Sequence, residues 1–259
     1  MTDVLAVSLQ GMQQEMARLE RISLNLANAT TPGYKREVAT AQRIGGSSFA
    51  RAMDGAASVP PGDSLPASPS AALLLIQTDT RPGTLKSTGQ SLDVALGGSG
   101  YFEISTPEGP AYTRQGSWRL DARGRLVTAQ GHPVMGQGGE ISLNDPNPRI
   151  DGAGHVFEAK PDGRPDAVPV AQLKVVRFDD AKSLRRIGDG LLATEQAPST
   201  MADSDVQLRQ GFLENSNVNS MQEMVQLIQS MRHFESMQKL ASGYDDMIGA
   251  AVRRLGELS

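Results

Sequence analysis

The sequence predicts an α+β fold, with a helix at each end and a mainly antiparallel β domain between them. The distribution of helix breakers carries the prediction. All 15 Pro lie between Pro32 and Pro198, and of 27 Gly only Gly11, Gly243, Gly249 and Gly256 fall in residues 1–31 or 212–259. In a helix interior Pro costs ~3 kcal/mol and Gly ~1 kcal/mol relative to Ala. Methionine runs the other way, with eight of the 11 Met in those two terminal segments. Between them, short apolar stretches alternate with turn residues, the mark of short strands. The expected organisation is a helix and turn over 1–35, a linker over 36–77, a β-rich domain over 78–198, and a connector with a second helix over 199–259.

In the first helix, Leu5, Leu9, Met12, Met16, Leu19, Ser23 and Leu26 recur at alternating steps of four and three. That is the 3.5-residue repeat of a coiled-coil seam. Val7, Ile22 and Leu24 widen the stripe. The helix is expected to stop near Asn28, because Thr31 precedes Pro32 and is biased to extended backbone. Thr31-Pro32-Gly33-Tyr34 then fits a type II turn, with Pro second and Gly third.

The last helix has a sharp start. Ser220-Met221-Gln222-Glu223 has the form of a capping box. From there Met224, Ile228, Met231, Phe234, Met237, Ala241, Tyr244, Ile248, Ala251 and Leu255 keep steps of three or four. Consecutive steps of three around Met231 to Met237 make the repeat slip, which overwinds a supercoil locally. A helix of ~26 residues is ~39 Å long. Fixing its backbone costs ~1–2 kcal/mol per residue, against ~1.5–3 kcal/mol per buried apolar side chain. Each helix is therefore marginal alone. The seams are expected to be filled between molecules, with packing of both helices as the core of one monomer as the alternative.

Residues 45–70 are rich in Gly, Ala, Ser and Pro and read as a linker. Strands follow. Leu92, Val94 and Leu96 alternate; Tyr101–Ile104 and Ala111–Thr113 flank a turn at Pro107-Glu108-Gly109. Trp118 and Leu120 alternate before Asp121–Gly124 and Leu126-Val127 follows, a second hairpin, and Ile141–Leu143, His155–Phe157 and Leu173–Phe178 supply further strands. Short strands with regular turns favour an antiparallel sandwich or barrel over a parallel sheet.

Composition excludes several kinds of chemistry. With 25 Lys+Arg against 29 Asp+Glu, the chain lacks the basic surface of a nucleic-acid binder. Its longest apolar run, Ala71–Ile76, falls far short of the ~20 residues that cross a membrane. The N-terminus has no basic start followed by an apolar stretch, so no cleaved signal peptide is expected. There is no Cys, hence no thiolate nucleophile or thiolate metal site. His132, His155 and His233 lack metal-ligand spacing, and Asp179-Asp180, Asp203-x-Asp205 and Asp245-Asp246 lack the spacing of a calcium loop. Gly97-Gly98-Ser99-Gly100 lacks the Lys-Ser/Thr of a phosphate loop. No catalytic, metal or cofactor residue is expected, and the chain reads as a non-enzyme.

Several segments in register resemble one family. Ile22–Asn28 followed by Thr31-Pro32-Gly33-Tyr34-Lys35-Arg36 is similar to the N-terminal signature of the bacterial flagellar rod and hook proteins. Gly83-Thr84-Leu85-Lys86, Leu92–Ala95, Gly100–Phe102 and Tyr112–Ser117 resemble the same family in its centre. Gly211-Phe212-Leu213-Glu214, Ser216–Asn219, Glu223-Met224-Val225, Ile228, Arg232 and Phe234-Glu235 complete the match. The resemblance implies an axial structural subunit, with terminal helices in an inner coiled-coil layer and the β domain outside. It implies a basal-body location spanning the periplasm, export through the flagellar export apparatus, and as partners further copies, other rod proteins and the hook side. The assembly interface it suggests comprises Leu5, Leu9, Met12, Met16, Leu19, Ile22, Leu26, Asn28, Met224, Ile228, Met231, Phe234, Ile248 and Leu255, beside the turn Thr31–Tyr34. Arg209–Glu214 leans to the distal-rod type, whereas Asp189-Gly190-Leu191-Leu192 leans to the proximal-rod type, which is favoured. A free-standing periplasmic β-domain binding module is the reading from a different class.

Overall fold

A computed structural model describes residues 2–43, 72–158, 168–180 and 183–256. The tract 45–70 lies outside the described residues. The chain forms two compact units, one from residues 1–26, 37–77 and 220–259, the other from 27–36 and 78–219. The predicted boundaries at 35/36 and 198/199 therefore differ from the observed grouping, in which the turn after the first helix and the connector before the last both pack with the β-rich unit.

The first unit holds helix α1 (Thr2–Ala27), strands β1 (Glu37–Arg43) and β2 (Ala72–Thr78), and helix α2 (Ser220–Gly256). α2 starts at Ser220 with Glu223 in its first turn. β1 and β2 pair as a two-stranded ribbon, so the ends of the expected 36–77 linker are strands. The apolar run Leu73–Ile76 is β2 itself, whose length suits a strand and not a helix.

In the second unit, β5 (Tyr101–Thr106) and β6 (Gly109–Thr113) form the predicted hairpin. They lie inside a six-stranded sheet ordered β15-β16-β6-β5-β14-β17, where β14 is Val175–Arg177, β15 Arg185–Gly188, β16 Leu191–Ala193 and β17 Ser199–Thr200. Every recorded pairing in this sheet is antiparallel. Both faces are covered around β5: Phe102 and Ile104 enter one core with Val94, Trp118, Leu126 and Val134, and Tyr101 enters another with Tyr112, Val176 and Phe178. That accounts for a β5 sequence that is apolar on both faces. Its one acidic residue, Glu103, is paired with Lys174 at 2.8 Å.

Shorter pairings complete the unit. β7 (Arg119–Leu120) pairs β8 (Leu126–Val127), and β9 (Met135–Gly136) pairs β10 (Gly139–Glu140). β11 (Arg149–Ile150), β12 (His155–Phe157) and β13 (Ala171–Gln172) form a three-stranded sheet. Near the C-terminal end, β18 (Leu208–Gln210) pairs β4 (Val94–Leu96), and β19 (Phe212–Glu214) pairs β3 (Leu85–Ser87). Two expectations are corrected. Ile141–Leu143 is not a ladder strand: Ser142 makes one bridge to Arg125, while Ile141 and Leu143 turn into the core. Of Leu173–Phe178 only Val175–Arg177 is a strand, β14; buried Leu173 lies between β13 and β14 and makes a single bridge to Gly136. The β15–β16 hairpin closes on Asp189-Gly190, whose φ of 49° and 74° suit a two-residue turn that twists with its strands.

The turn at Thr31–Tyr34 forms as the sequence indicates. Tyr34 N donates to Thr31 O at 3.3 Å, and Gly33 takes φ 68°. A Cβ at residue 33 would also lie 2.4 Å from the backbone N of Gln115. Gly33→Ala therefore combines strained backbone, about 1–3 kcal/mol, with a clash against main chain. Urea unfolding followed by the fluorescence of Trp118, buried in the β core, is expected to show a stability loss of at least that size.

Candidate functional site

In the first unit the helices run antiparallel. Asn25 Nδ2 donates to Glu223 Oε2 at 3.3 Å, Glu15 Oε1 lies 3.0 Å from His233 Nδ1, and the Met237 thioether fills the space a side chain at residue 11 would occupy. The expectation that the two seams are filled only between molecules is thus corrected, because part of each finds the other within one chain. Asn25 also ties the pair to β1: it donates to Glu37 O at 2.8 Å and accepts from Glu37 N at 2.9 Å. Arg21 reaches the Glu37 carboxylate at 3.2 Å.

The pairing uses only one side of each helix. On α1, Glu15, Ile22 and Asn25 are buried and Met12, Leu19 and Leu26 part-buried, whereas Leu9 and Met16 are exposed. On α2, Glu223 and Ser230 are buried and Phe234 and Met237 part-buried, whereas Met221, Met224, Val225, Ile228 and Met231 are exposed. At 100° per residue, these five span an arc of about 120° on the side of α2 turned away from α1. The slip in the repeat has its physical meaning here. Three-residue steps at Met231, Phe234 and Met237 rotate the apolar row from the outer face of α2 to the face packed on α1. Of the remaining predicted interface positions, Asn28 is part-buried in the turn after α1. Leu5, Ile248 and Leu255 lie on the helices at positions whose side chains are outside the described ones.

The second unit holds a buried ionic knot that sequence reading did not find. Glu214, 1% exposed, accepts from Lys35 Nζ at 2.5 Å and Gly83 N at 2.8 Å through Oε1, and from Arg114 Nη1 at 3.3 Å through Oε2. The knot carries two cations and one anion, and backbone carbonyls face the surplus charge. Lys35 Nζ donates to Arg81 O at 2.8 Å, Arg114 Nη2 donates to Gly98 O at 2.8 Å, and Arg114 also lies over the Tyr101 ring. Burial pushes the Lys35 ammonium below its ordinary pKa, with Glu214 opposing the shift, and does the same to Arg114. Burial likewise raises the Tyr101 hydroxyl.

Around the knot, Arg186 stacks 4.1 Å over the Tyr34 ring and donates to Lys35 O at 2.6 Å. Asn217 accepts from Arg36 N at 2.7 Å and donates to Asp79 O and Arg81 O. Lys35, Gly83, Arg114 and Glu214 each sit in a different quoted family segment. Their coincidence in several motifs was the one available signal, but their separations of 31 to 179 residues follow no local pattern.

His155 lies 3.0 Å from Asp151 and 3.9 Å from Asp203. Among the described residues no group of three or more His, Cys, Asp or Glu could hold a metal ion.

Comparison with known proteins fits this architecture. The family described as "Flagellar basal body rod FlgEFG protein C-terminal" matches residues 209–254, and "Flagellar hook protein FlgE/F/G D1 domain" matches residues 95–160. The chain is 33% identical over 257 residues to the flagellar basal-body rod protein FlgF of Rhizobium meliloti, covering 97% of each chain. This chain belongs to the flagellar basal-body rod family. Other members lie at similar distance: FlgF of Escherichia coli is 34% identical over 89% of each chain, and FlgG of Buchnera aphidicola from Schizaphis graminum is 30% identical over 94% of this chain and 96% of its own. Rod-family proteins are structural and not enzymes.

Replacing Glu214 tests the knot. Glu214→Gln strands two buried cations and is expected to cost about 3–5 kcal/mol. Lys35→Met leaves Arg114 and Glu214 balanced and is expected to cost less. Urea titration of both variants, with Trp118 as reporter, checks the order.

Proposed function

We propose that this chain is a structural subunit of the flagellar rod, and of its proximal part, polymerising into the shaft that transmits motor torque. The observation that carries the reading is the exposed apolar face of α2, Met221, Met224, Val225, Ile228 and Met231, with Leu9 and Met16 exposed separately on α1. Monomers seldom leave so continuous an apolar strip in water. Its occupant is the terminal helices of neighbouring rod subunits, since the family is that of basal-body rod proteins. The proximal assignment draws support from the slightly higher identity to the FlgF relatives cited above and from the Asp189-Gly190 hairpin. The resemblance further implies transit through the flagellar export apparatus and a place within the periplasm. The absence of Cys suits passage as an unfolded chain, because no disulfide can lock it. The net charge of −4 supports protein partners over nucleic acid.

Because Leu19, Leu26 and Phe234 also serve the intrachain pairing, charges at Leu9, Met16, Met224, Ile228 or Met231 discriminate better. Ile228→Asp in a deletion strain is expected to abolish swimming and leave basal bodies cut short at the proximal level. The purified variant should unfold like the parent, and Ile228→Leu should restore rods. Normal rods and swimming with Ile228→Asp would overturn the reading.

A further inference from the structure

All the sulfur of this chain is methionine, since it has no Cys and 11 Met. The methionines are placed unequally. Met221, Met224 and Met231 are 72%, 47% and 49% exposed on one face of α2. Met16 on α1 and Met247 near the end of α2 are exposed singly, at 58% and 62%, whereas Met12 and Met237 are part-covered on the helices and Met135 and Met201 part-covered in the β-rich unit.

A thioether in contact with solvent is open to peroxide, and its oxidation makes a flexible apolar side chain polar. We propose that Met221, Met224 and Met231 form an oxidation site through which peroxides block assembly without unfolding the subunit. The inference rests on the assembly reading above. In the reaction a sulfur lone pair attacks one peroxide oxygen. With hydrogen peroxide, the S–O bond forms as the O–O bond breaks, and the departing hydroxide takes the proton of the transferred oxygen and leaves as water. Sulfur loses two electrons and the peroxide gains them, so the product is a sulfoxide, with neither atom nor charge left over.

Three facts make this face the sensitive one. It carries three accessible thioethers within about one third of the helix circumference. It is turned away from α1, so sulfoxides there leave the pairing of the two helices undisturbed. An interface that closed over them would bury an oxygen acceptor lacking a donor, weakening association by roughly tenfold for each such group.

The test has two arms on the full chain. The purified protein is treated with hydrogen peroxide and its sulfoxides are mapped by peptide mass spectrometry. Met221, Met224 and Met231 are expected to oxidise several-fold faster than Met135, Met201 and Met237, with helical circular dichroism unchanged. Equal rates, or loss of helix on oxidation of these three, would overturn the inference and leave the assembly reading standing. In the second arm, a deletion strain receives either Met221→Leu/Met224→Leu/Met231→Leu or the corresponding triple Gln variant, a polar stand-in for the sulfoxide. Rods are counted by electron microscopy with and without a non-lethal peroxide pulse during assembly. The triple Leu variant is expected to give a rod count that peroxide does not change, the parent to build at least tenfold fewer under peroxide, and the triple Gln variant to build few in either. Rods in normal number from the triple Gln variant would sink the inference; absence of rods from triple Leu as well as triple Gln would show that this face tolerates no change and would also reject the switch.

Discussion

A carboxylate sealed from water must have its lone pairs filled, and much of the β-rich unit is arranged around that demand at Glu214. Its oxygens take an ammonium, a guanidinium and a backbone N–H from three separate parts of the chain. Taking such charges out of water costs several kcal/mol per ion, and only good geometry recovers it. The geometry here is set by backbone. β19 delivers Glu214 along β3, the turn at Gly33 delivers Lys35, and the segment after β6 delivers Arg114. Gly33 N donates to Glu214 O at 2.7 Å, so the turn and the strand are joined by main chain as well as by charge. A hydrophobic cluster could have held these segments more cheaply, but it would have accepted many registers. A bidentate anion flanked by two cations accepts few.

That selectivity matters because the chain crosses between its two units at these places. Residues 27–36 bring it in and residues 208–219 lead it out, and Asn217 bonds to both Arg36 and the backbone at Asp79 and Arg81. The crossings are thereby fixed relative to one another inside the β-rich unit. Ion pairs and short hydrogen bonds with defined partners resist sliding better than apolar contacts, which are non-directional.

The helices, the β middle and the Thr31–Tyr34 turn were legible from the sequence because local rules govern them: Pro and Gly placement, apolar period, and a Pro-Gly turn. The hairpins at 107–109 and 121–124 were legible for the same reason. What escaped reading was non-local or depended on context. β1 and β2 are separated by the 44–71 tract, so no turn signal links them. Ile141–Leu143 has the strand period, yet buries both apolar ends beside one bridge. Lys35, Arg114 and Glu214 look like ordinary surface charges until the fold encloses them. The sequence marked the candidate interface as one stripe per helix, whereas the structure divides each stripe in two.

That division follows from arithmetic. A 3.5-residue repeat drifts about 20° per heptad on a straight helix, and a run of three-residue steps turns it much faster. In α2 the row starts on the side away from α1 at Met224 and Ile228 and crosses over at Phe234 to the side that meets α1 at Met237. One continuous apolar sequence thus supplies two contacts on opposite sides, an inner one satisfied by α1 and an outer one left in water. A helix required only to hold its own hairpin would need the inner face alone and would gain solubility from charge on the outer one. The outer row instead carries Met221, Met224, Val225, Ile228 and Met231. Methionine predominates there, and its three rotatable bonds let one side chain fit differently shaped gaps.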